Sequence, residues 1–176
     1  MEQQILHRKK ICMLGSFGVG KTSLVRRFVY NLFEEKYQST IGVHICHKTI
    51  IIQDKHVDHH LNLILWDLAH IEKFNEMIKN YFRGANGAIV VCDVTRPQHY
   101  QESINFINPF LEMNPTARLM FVGNKIDLTP KDQIEMEQLL QVSKLFHAPL
   151  LMTSTRTGDN VEQLFHDLGT RLLEAE

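Results

Sequence analysis

The chain is poor in cysteine and has almost no charge imbalance, and each shortage narrows what it can be. Its three cysteines, Cys12, Cys46 and Cys92, are odd in number, widely spaced and set within apolar runs. That is no disulfide framework, and it predicts buried thiols in a reducing compartment. The 19 lysines and arginines nearly cancel the 20 aspartates and glutamates, so no overall field draws the protein to nucleic acid or to an acidic membrane. Partners must be recognised locally. The sequence contains no uncharged run near the roughly 20 residues that span a bilayer. Residues 1–10 are mostly polar and lack the apolar centre of a signal peptide. Asn114-Pro115-Thr116 carries proline in the position that forbids glycosylation. No internal repeat, low-complexity tract or Pro/Gly/Ser-rich linker interrupts the chain. A soluble, cytoplasmic protein is expected, monomeric and with residues 1–176 as a single domain, because 44% hydrophobic content in 176 residues suffices for one core.

Short apolar runs alternate with helix-period segments, the pattern of a layered α/β domain with a mainly parallel sheet. Ile11 to Leu14 predicts a buried strand ending at Gly15, and Lys21 to Tyr30 carries Leu24, Val25 and Phe28 at helical spacing. The stretches 43–52 and 57–68, joined by the polar Gln53-Asp54-Lys55-His56, predict an antiparallel hairpin with Leu61, Leu63 and Leu65 on its core face. Residues 88–92 and 119–122 are continuous apolar runs, as expected of strands covered on both sides, and 150–152 supplies a sixth. Helices are expected near 72–83, 98–113 and 131–147, the second kinked or interrupted at Pro109. The last begins near Asp159, which can cap it, and runs Val161, Leu164, Phe165, Leu168 and Leu172 along one stripe.

Gly15-Ser16-Phe17-Gly18-Val19-Gly20-Lys21-Thr22 matches G-x-x-x-x-G-K-[ST] between a predicted strand and a predicted helix, the context that gives this pattern meaning. Its glycines let backbone N–H groups turn inward around phosphates, and the helix N-terminus adds positive potential. Lys21 is placed to reach the β- and γ-phosphates and the Thr22 hydroxyl to bind Mg²⁺. Asn124-Lys125-Ile126-Asp127 follows the strand at 119–122, at the carboxyl edge where ligands of open α/β sheets lie. The Asp127 carboxylate can accept from both N1–H and the 2-amino group of guanine, a donor pair that adenine lacks. The ten histidines raise the possibility of a metal centre, above all His44, His47, His56, His59 and His60 around the hairpin. Alternation sends His59 and His60 to opposite faces, against the convergence a zinc site needs, so surface histidines are expected.

In order and spacing, the loop at 15–22, the Asn-Lys-Ile-Asp at 124–127 and Thr153-Ser154-Thr155 resemble the phosphate and guanine motifs of Ras-superfamily GTPases. Ser-Thr-Ile-Gly-Val at 39–43 and Trp66-Asp67 look most like the Rab branch. The resemblance covers essentially the whole chain. It implies a P-loop NTPase three-layer sandwich: a mostly parallel six-stranded sheet, one antiparallel hairpin at its edge, and helices on both faces. It implies GTP or GDP with Mg²⁺ as cofactors, and a nucleotide-binding set of Ser16, Phe17, Gly18, Val19, Gly20, Lys21, Thr22, Ser23, Phe33, Tyr37, Thr40, Asn124, Lys125, Asp127, Ser154, Thr155 and Arg156. Phe33 is expected edge-on against the guanine, Tyr37 and Thr40 in the first switch, and Thr22, Thr40 and Asp67 around the metal, Asp67 through water. Thr155 and Arg156 stand where the family usually has alanine and lysine. Effectors and exchange factors are expected at the switch regions, through Ile41, Gly42, Val43, Trp66 and their neighbours. The chain reaches Glu176 with no terminal cysteine pair or C-a-a-X box, so no lipid anchor is expected in it, and any membrane association passes through partners.

The departures cluster around the γ-phosphate. Where the family's second switch runs Asp-x-Ala-Gly-Gln-Glu, this chain reads Asp67-Leu68-Ala69-His70-Ile71-Glu72. The glutamine orients the attacking water, a task for which Ile71 has neither donor nor acceptor. His70 replaces the glycine whose backbone freedom brings an N–H to the γ-phosphate. Phe17 puts a ring where the family has a small residue and where an arginine finger would enter. The catalytic set is therefore Lys21 and Thr40, with Ile71 in place of the glutamine and His70 as a weak substitute base. Three readings stay open: a slow GTPase switch in membrane traffic or signalling, a pseudo-GTPase that binds nucleotide as structure, and a P-loop kinase, the last weakened by Asn-Lys-x-Asp and by the lack of an evident substrate lid.

Overall fold

A computed structural model describes residues 3–34, 42–54, 57–68 and 76–174 of the chain. Tyr37, Thr40, Ile41, His70 and Ile71 lie outside these described residues.

Six strands form one sheet in the order β2-β3-β1-β4-β5-β6: β1 (Gln3–Leu14), β2 (Val43–Asp54), β3 (Val57–Leu68), β4 (Gly87–Asp93), β5 (Arg118–Asn124) and β6 (Leu150–Thr153). Only β2 and β3 pair antiparallel; every other neighbour is parallel. The helices are α1 (Lys21–Tyr30), α2 (Glu76–Phe82), α3 (Ile104–Met113), α4 (Met136–Leu145) and α5 (Val161–Leu173). The architecture is the expected P-loop NTPase α/β fold.

Strand alternation divides the core in two. Ile11 and Met13 of β1 join Leu61, Leu63, Leu65, Ile89, Val91, Met120 and Val122 under the apolar stripes of α1 and α5. Cys12 and Leu14 face the other way, with Ala88, Val90, Cys92, Leu119 and Phe121 under α2, α3 and α4. Two buried faces explain why β4 and β5 read as continuous apolar runs. The three cysteines are buried, unbridged thiols, and burial pushes Cys12 and Cys92 up to about 12.

Several predicted boundaries move. β1 begins at Gln3, because its first half pairs with β3 from Gln3↔Val57 onward, and the polar residues there sit on a partly solvated ladder. Gln53 and Asp54 continue the β2–β3 ladder opposite Asp58 and Val57, so they belong to the strand and not to the connection. Residues 98–113 divide into a 3₁₀ segment (Pro97–Ser103) and α3, with Pro109 inside the helix; the change of winding falls at Ser103 and not at the proline. Lys131–Gln133 is likewise a separate 3₁₀ turn before α4. Asp159 does not cap α5. Asn160 holds that position at φ 57, with no side-chain cap, because its amide Nδ2 donates to Met152 O at 2.8 Å and the Asp159 carbonyl accepts from Ser154 N at 3.2 Å. Asparagine tolerates this left-handed backbone better than most residues.

The connections of β1 set the position of the site. It pairs with β3 on one side and β4 on the other, so chain order reverses at β1, and its carboxyl end opens onto the crevice where such sheets bind ligands.

Candidate functional site

Gly15 to Gly20 leave β1 at that crevice, and carbonyls 15–19 are held one after another by side chains. Lys21 Nζ donates to Gly15 O at 2.7 Å and to Ser16 O at 3.0 Å. Arg96 Nη2 donates to Phe17 O at 2.9 Å, Lys125 Nζ to Gly18 O at 2.7 Å, and Asn124 Nδ2 to Val19 O at 2.9 Å. The carbonyl of one residue and the amide of the next share a peptide plane and point in opposite directions. Turning carbonyls 17–19 toward Arg96, Lys125 and Asn124 therefore turns the N–H groups of Gly18, Val19 and Gly20 away from those side chains, which is the geometry of an anion nest at a helix N-terminus. Gly18 and Gly20 hold φ of 72 and 104, values open to glycine.

Gly15 is the tightest point: its φ is +134, and an added Cβ would lie 2.3 Å from the backbone oxygen of Val91. Gly15→Ala is expected to cost about 3 kcal/mol or more through strain and overlap, read as a lower denaturation midpoint in urea. An unchanged midpoint would show that β1 and β4 can part at no cost.

Lys21 is 9% exposed. Burial pushes its ammonium down to about 8, with Asp67 pulling the other way. Asp67, next to last in β3, is 1% exposed, and neither of its carboxylate oxygens finds a hydrogen bond of ordinary geometry. Burial pushes its pKa up, against the opposing pull of the Thr22 hydroxyl and of the Lys21, His44 and Arg26 charges. Thr22 and Asp67 also line a cavity of about 360 Å³ between α1 and β2. A buried, unsatisfied carboxylate beside a hydroxyl is a hard-oxygen donor set that fits a hydrated Mg²⁺.

The residues expected on the base side converge as well. Lys125 adopts φ 71 just before the 3₁₀ turn Ile126–Leu128, which brings its ammonium back to Gly18 and leaves Asp127 at the surface. Ser154 Oγ donates to Asp127 Oδ1 at 2.6 Å and so fixes the carboxylate. Asn124 Oδ1 accepts from Thr153 Oγ1 at 3.2 Å and from Thr155 N at 3.3 Å. Through its two ends, Asn124 joins the phosphate loop to the Thr153–Thr155 segment. Ser23 lies on the first turn of α1, Phe33 is half-buried after it, and Arg156 is exposed. The Phe17 ring is 47% exposed at the mouth of the loop.

Sequence reasoning missed three members of this frame. Asp93, ending β4 at 3% exposure, accepts from Lys125 Nζ at 2.7 Å and Arg96 Nε at 3.0 Å. Burial alone would raise its pKa, but hydrogen bonds from the Lys125 side chain and from the Thr95 side chain and backbone outweigh it and hold the carboxyl below its usual range. Arg27 of α1 donates to Thr155 O at 2.8 Å and also to Arg156 O. A charged residue closing an all-apolar strand at the ligand edge was the available signal for Asp93. Nothing comparable marked Arg27 or Arg96.

Trp66 sits apart from this crevice. Its ring lies 6.1 Å from that of Tyr81, under Lys10 Nζ at 3.9 Å. Beside it on β2, Ile45 is 45% exposed, while Gly42 and Val43 precede it at the strand's start. Among the histidines, His59 meets His7 at 3.0 Å.

A sequence model described as the Ras family matches residues 10–174, a span that takes in the whole of this frame.

Proposed function

The chain belongs to the Ras family, whose members are guanine-nucleotide-binding small GTPases, and from that premise we propose a switch that binds GTP and GDP with Mg²⁺ but turns GTP over slowly. The observation that carries the binding reading is the double engagement of Asn124, which holds Val19 O with one end and the Thr153–Thr155 segment with the other. That coupling gives phosphates and base one rigid receptor. Lys21 neutralises phosphate charge, Asp127 selects guanine, and Thr22 with Asp67 and Thr40 would hold the metal, which supplies charge stabilisation at the phosphates. Slow turnover rests on Ile71 and His70 in the second switch.

Slow hydrolysis makes the GTP form persist. Partners then read it through Val43, Trp66 and the exposed Ile45 beside them, together with Ile41 and Gly42, which precede Val43 in the sequence. The Ser39–Val43 and Trp66–Asp67 patterns support a place near the Rab branch, and with it a cytoplasmic role at membranes reached through effectors and exchange factors. A second reading, an interaction module holding nucleotide as structure, is favoured by the Phe17 ring at the mouth of the loop.

Single-turnover hydrolysis separates the two. Wild type is expected to hydrolyse bound GTP at least tenfold more slowly than Ile71→Gln, since a positioned water-orienting group contributes on that order or more. Protein heat-denatured directly after purification should release GTP. Wild-type hydrolysis as fast as the variant's overturns the stalled switch, and turnover in neither protein favours the structural reading.

A further inference from the structure

We infer that the segment from Arg96 to Glu102 is a brace on the outer side of the phosphate loop that sets how long a nucleotide stays bound. This deepens the guanine-nucleotide reading and rests on it. Of the side chains that hold the loop's carbonyls, Lys21, Asn124 and Lys125 belong to the motifs already assigned. Arg96 does not. Its guanidinium spans two points: Nε donates to Asp93 Oδ2 at 3.0 Å, and Nη2 to Phe17 O at 2.9 Å. Asp93 is buried and fixed by Thr95 and Lys125, so the loop is tied to the end of β4 and not to a mobile surface group.

The tie acts on one amide. Phe17 O and the Gly18 N–H lie in the same peptide plane, and holding the oxygen outward holds that N–H inward, toward a bound phosphate. Gly18 has no side chain to resist rotation and already sits at φ 72, where its freedom is largest. One residue earlier, the Ser16 hydroxyl donates to Glu102 Oε2 at 2.9 Å, and His99 Nδ1 lies 2.6 Å from Glu102 Oε1. The 3₁₀ segment Pro97–Ser103 and the Arg96 that caps it thus make two contacts to adjacent loop residues, from Arg96 just before its start and from Glu102 near its end.

These are positioning residues, and their signature is the rate at which nucleotide leaves. Dissociation of fluorescent GDP, chased with excess unlabelled GDP in Mg²⁺, is expected to be about tenfold faster in Arg96→Ala, the scale of one charge-assisted hydrogen bond. Arg96→Lys should fall between the two, because an ammonium can reach Asp93 or Phe17 O but cannot span both in a fixed fork. Glu102→Ala should release GDP a few-fold faster, and Glu102→Gln, whose amide oxygen still accepts from Ser16, should return to the wild-type rate. Wild-type release rates in both Arg96→Ala and Glu102→Ala overturn the brace while leaving the guanine reading intact. So does equal acceleration by alanine and by the conservative variant at each position. If wild type itself binds no GDP, the guanine reading falls and the brace falls with it.

Discussion

Asp127→Ala is expected to lower the affinity for GDP about a thousandfold in titration calorimetry. Removing the carboxylate leaves guanine N1–H and the 2-amino group without acceptors, and sites built to hydrogen-bond a ligand discriminate by roughly 10⁴–10⁵ when such a pairing is lost. The smaller figure follows from the position of Asp127 at the surface, where water can replace part of what is removed. Asp127→Asn separates selectivity from stability. Its amide offers an N–H where the carboxylate offered a lone pair, so preference should move from guanosine to xanthosine diphosphate, whose C2 carbonyl accepts. Ser154→Ala, which frees the carboxylate held at 2.6 Å, should cost about tenfold, the worth of one hydrogen bond to a charged group. If Asp127→Ala retained wild-type GDP affinity, base recognition would have to lie elsewhere, and the shift to xanthosine would be absent as well.

The residues that could be found from sequence are those whose chemistry is local. The Gly15–Thr22 loop, its strand and its helix lie within a few residues of one another, and their types are dictated by backbone geometry around an anion. Asn124 and Asp127 end or follow a buried strand whose apolar run marks the ligand edge, whereas Ser154 is reached through the family resemblance. What escaped are partners set by the three-dimensional frame. Arg27 and Arg96 act on main-chain carbonyls of segments distant in sequence, and a carbonyl oxygen leaves no trace in the residue that carries it, while Asp93 is matched to the side chains of Arg96 and Lys125. Glu102 and Ser16 meet side chain to side chain across 86 positions, a pairing equally set by the frame.

Element boundaries failed for a related reason. Residues 3–10 look polar because that half of β1 extends along β3 with Gln4, Leu6 and Arg8 exposed, so the ladder and not a buried face makes it a strand. Asp159 was a sound cap by type, yet the turn from β6 used its carbonyl and gave the cap position to Asn160. In each case a hydrogen bond to another segment or across the turn decided the conformation.

Lys21 carries the last expectation, and its sign can be worked out. In the unfolded chain its ammonium titrates near 10.5, whereas in the fold burial brings it down to about 8. Between these values the unfolded state binds more protons, so the stability of the nucleotide-free protein should rise with pH from about 8 to 10.5; below about 8 both states are charged and the full desolvation cost is present. Two carbonyls and a buried carboxylate face the ammonium without fully offsetting that cost. A polyphosphate does offset it, which raises the pKa again, and GDP binding near pH 9 should therefore take up a proton. Phosphate groups, with second pKa values near 6, are already ionised there and do not obscure the measurement. Calorimetric enthalpies of GDP binding at pH 9 should change with the ionisation enthalpy of the buffer, and at pH 7 Lys21 should contribute no such dependence. Lys21→Ala removes the charge outright and should weaken GDP binding by about 10²–10³, the range for deleting one member of a buried charge pair, and should cut the proton uptake at pH 9 to the part that guanine N1, bound by Asp127 in its N–H form, contributes alone. A buffer-independent enthalpy at pH 9 in the wild type would mean that this lysine already carries its full charge without the phosphates, and the loop would then be preformed for anions at every pH.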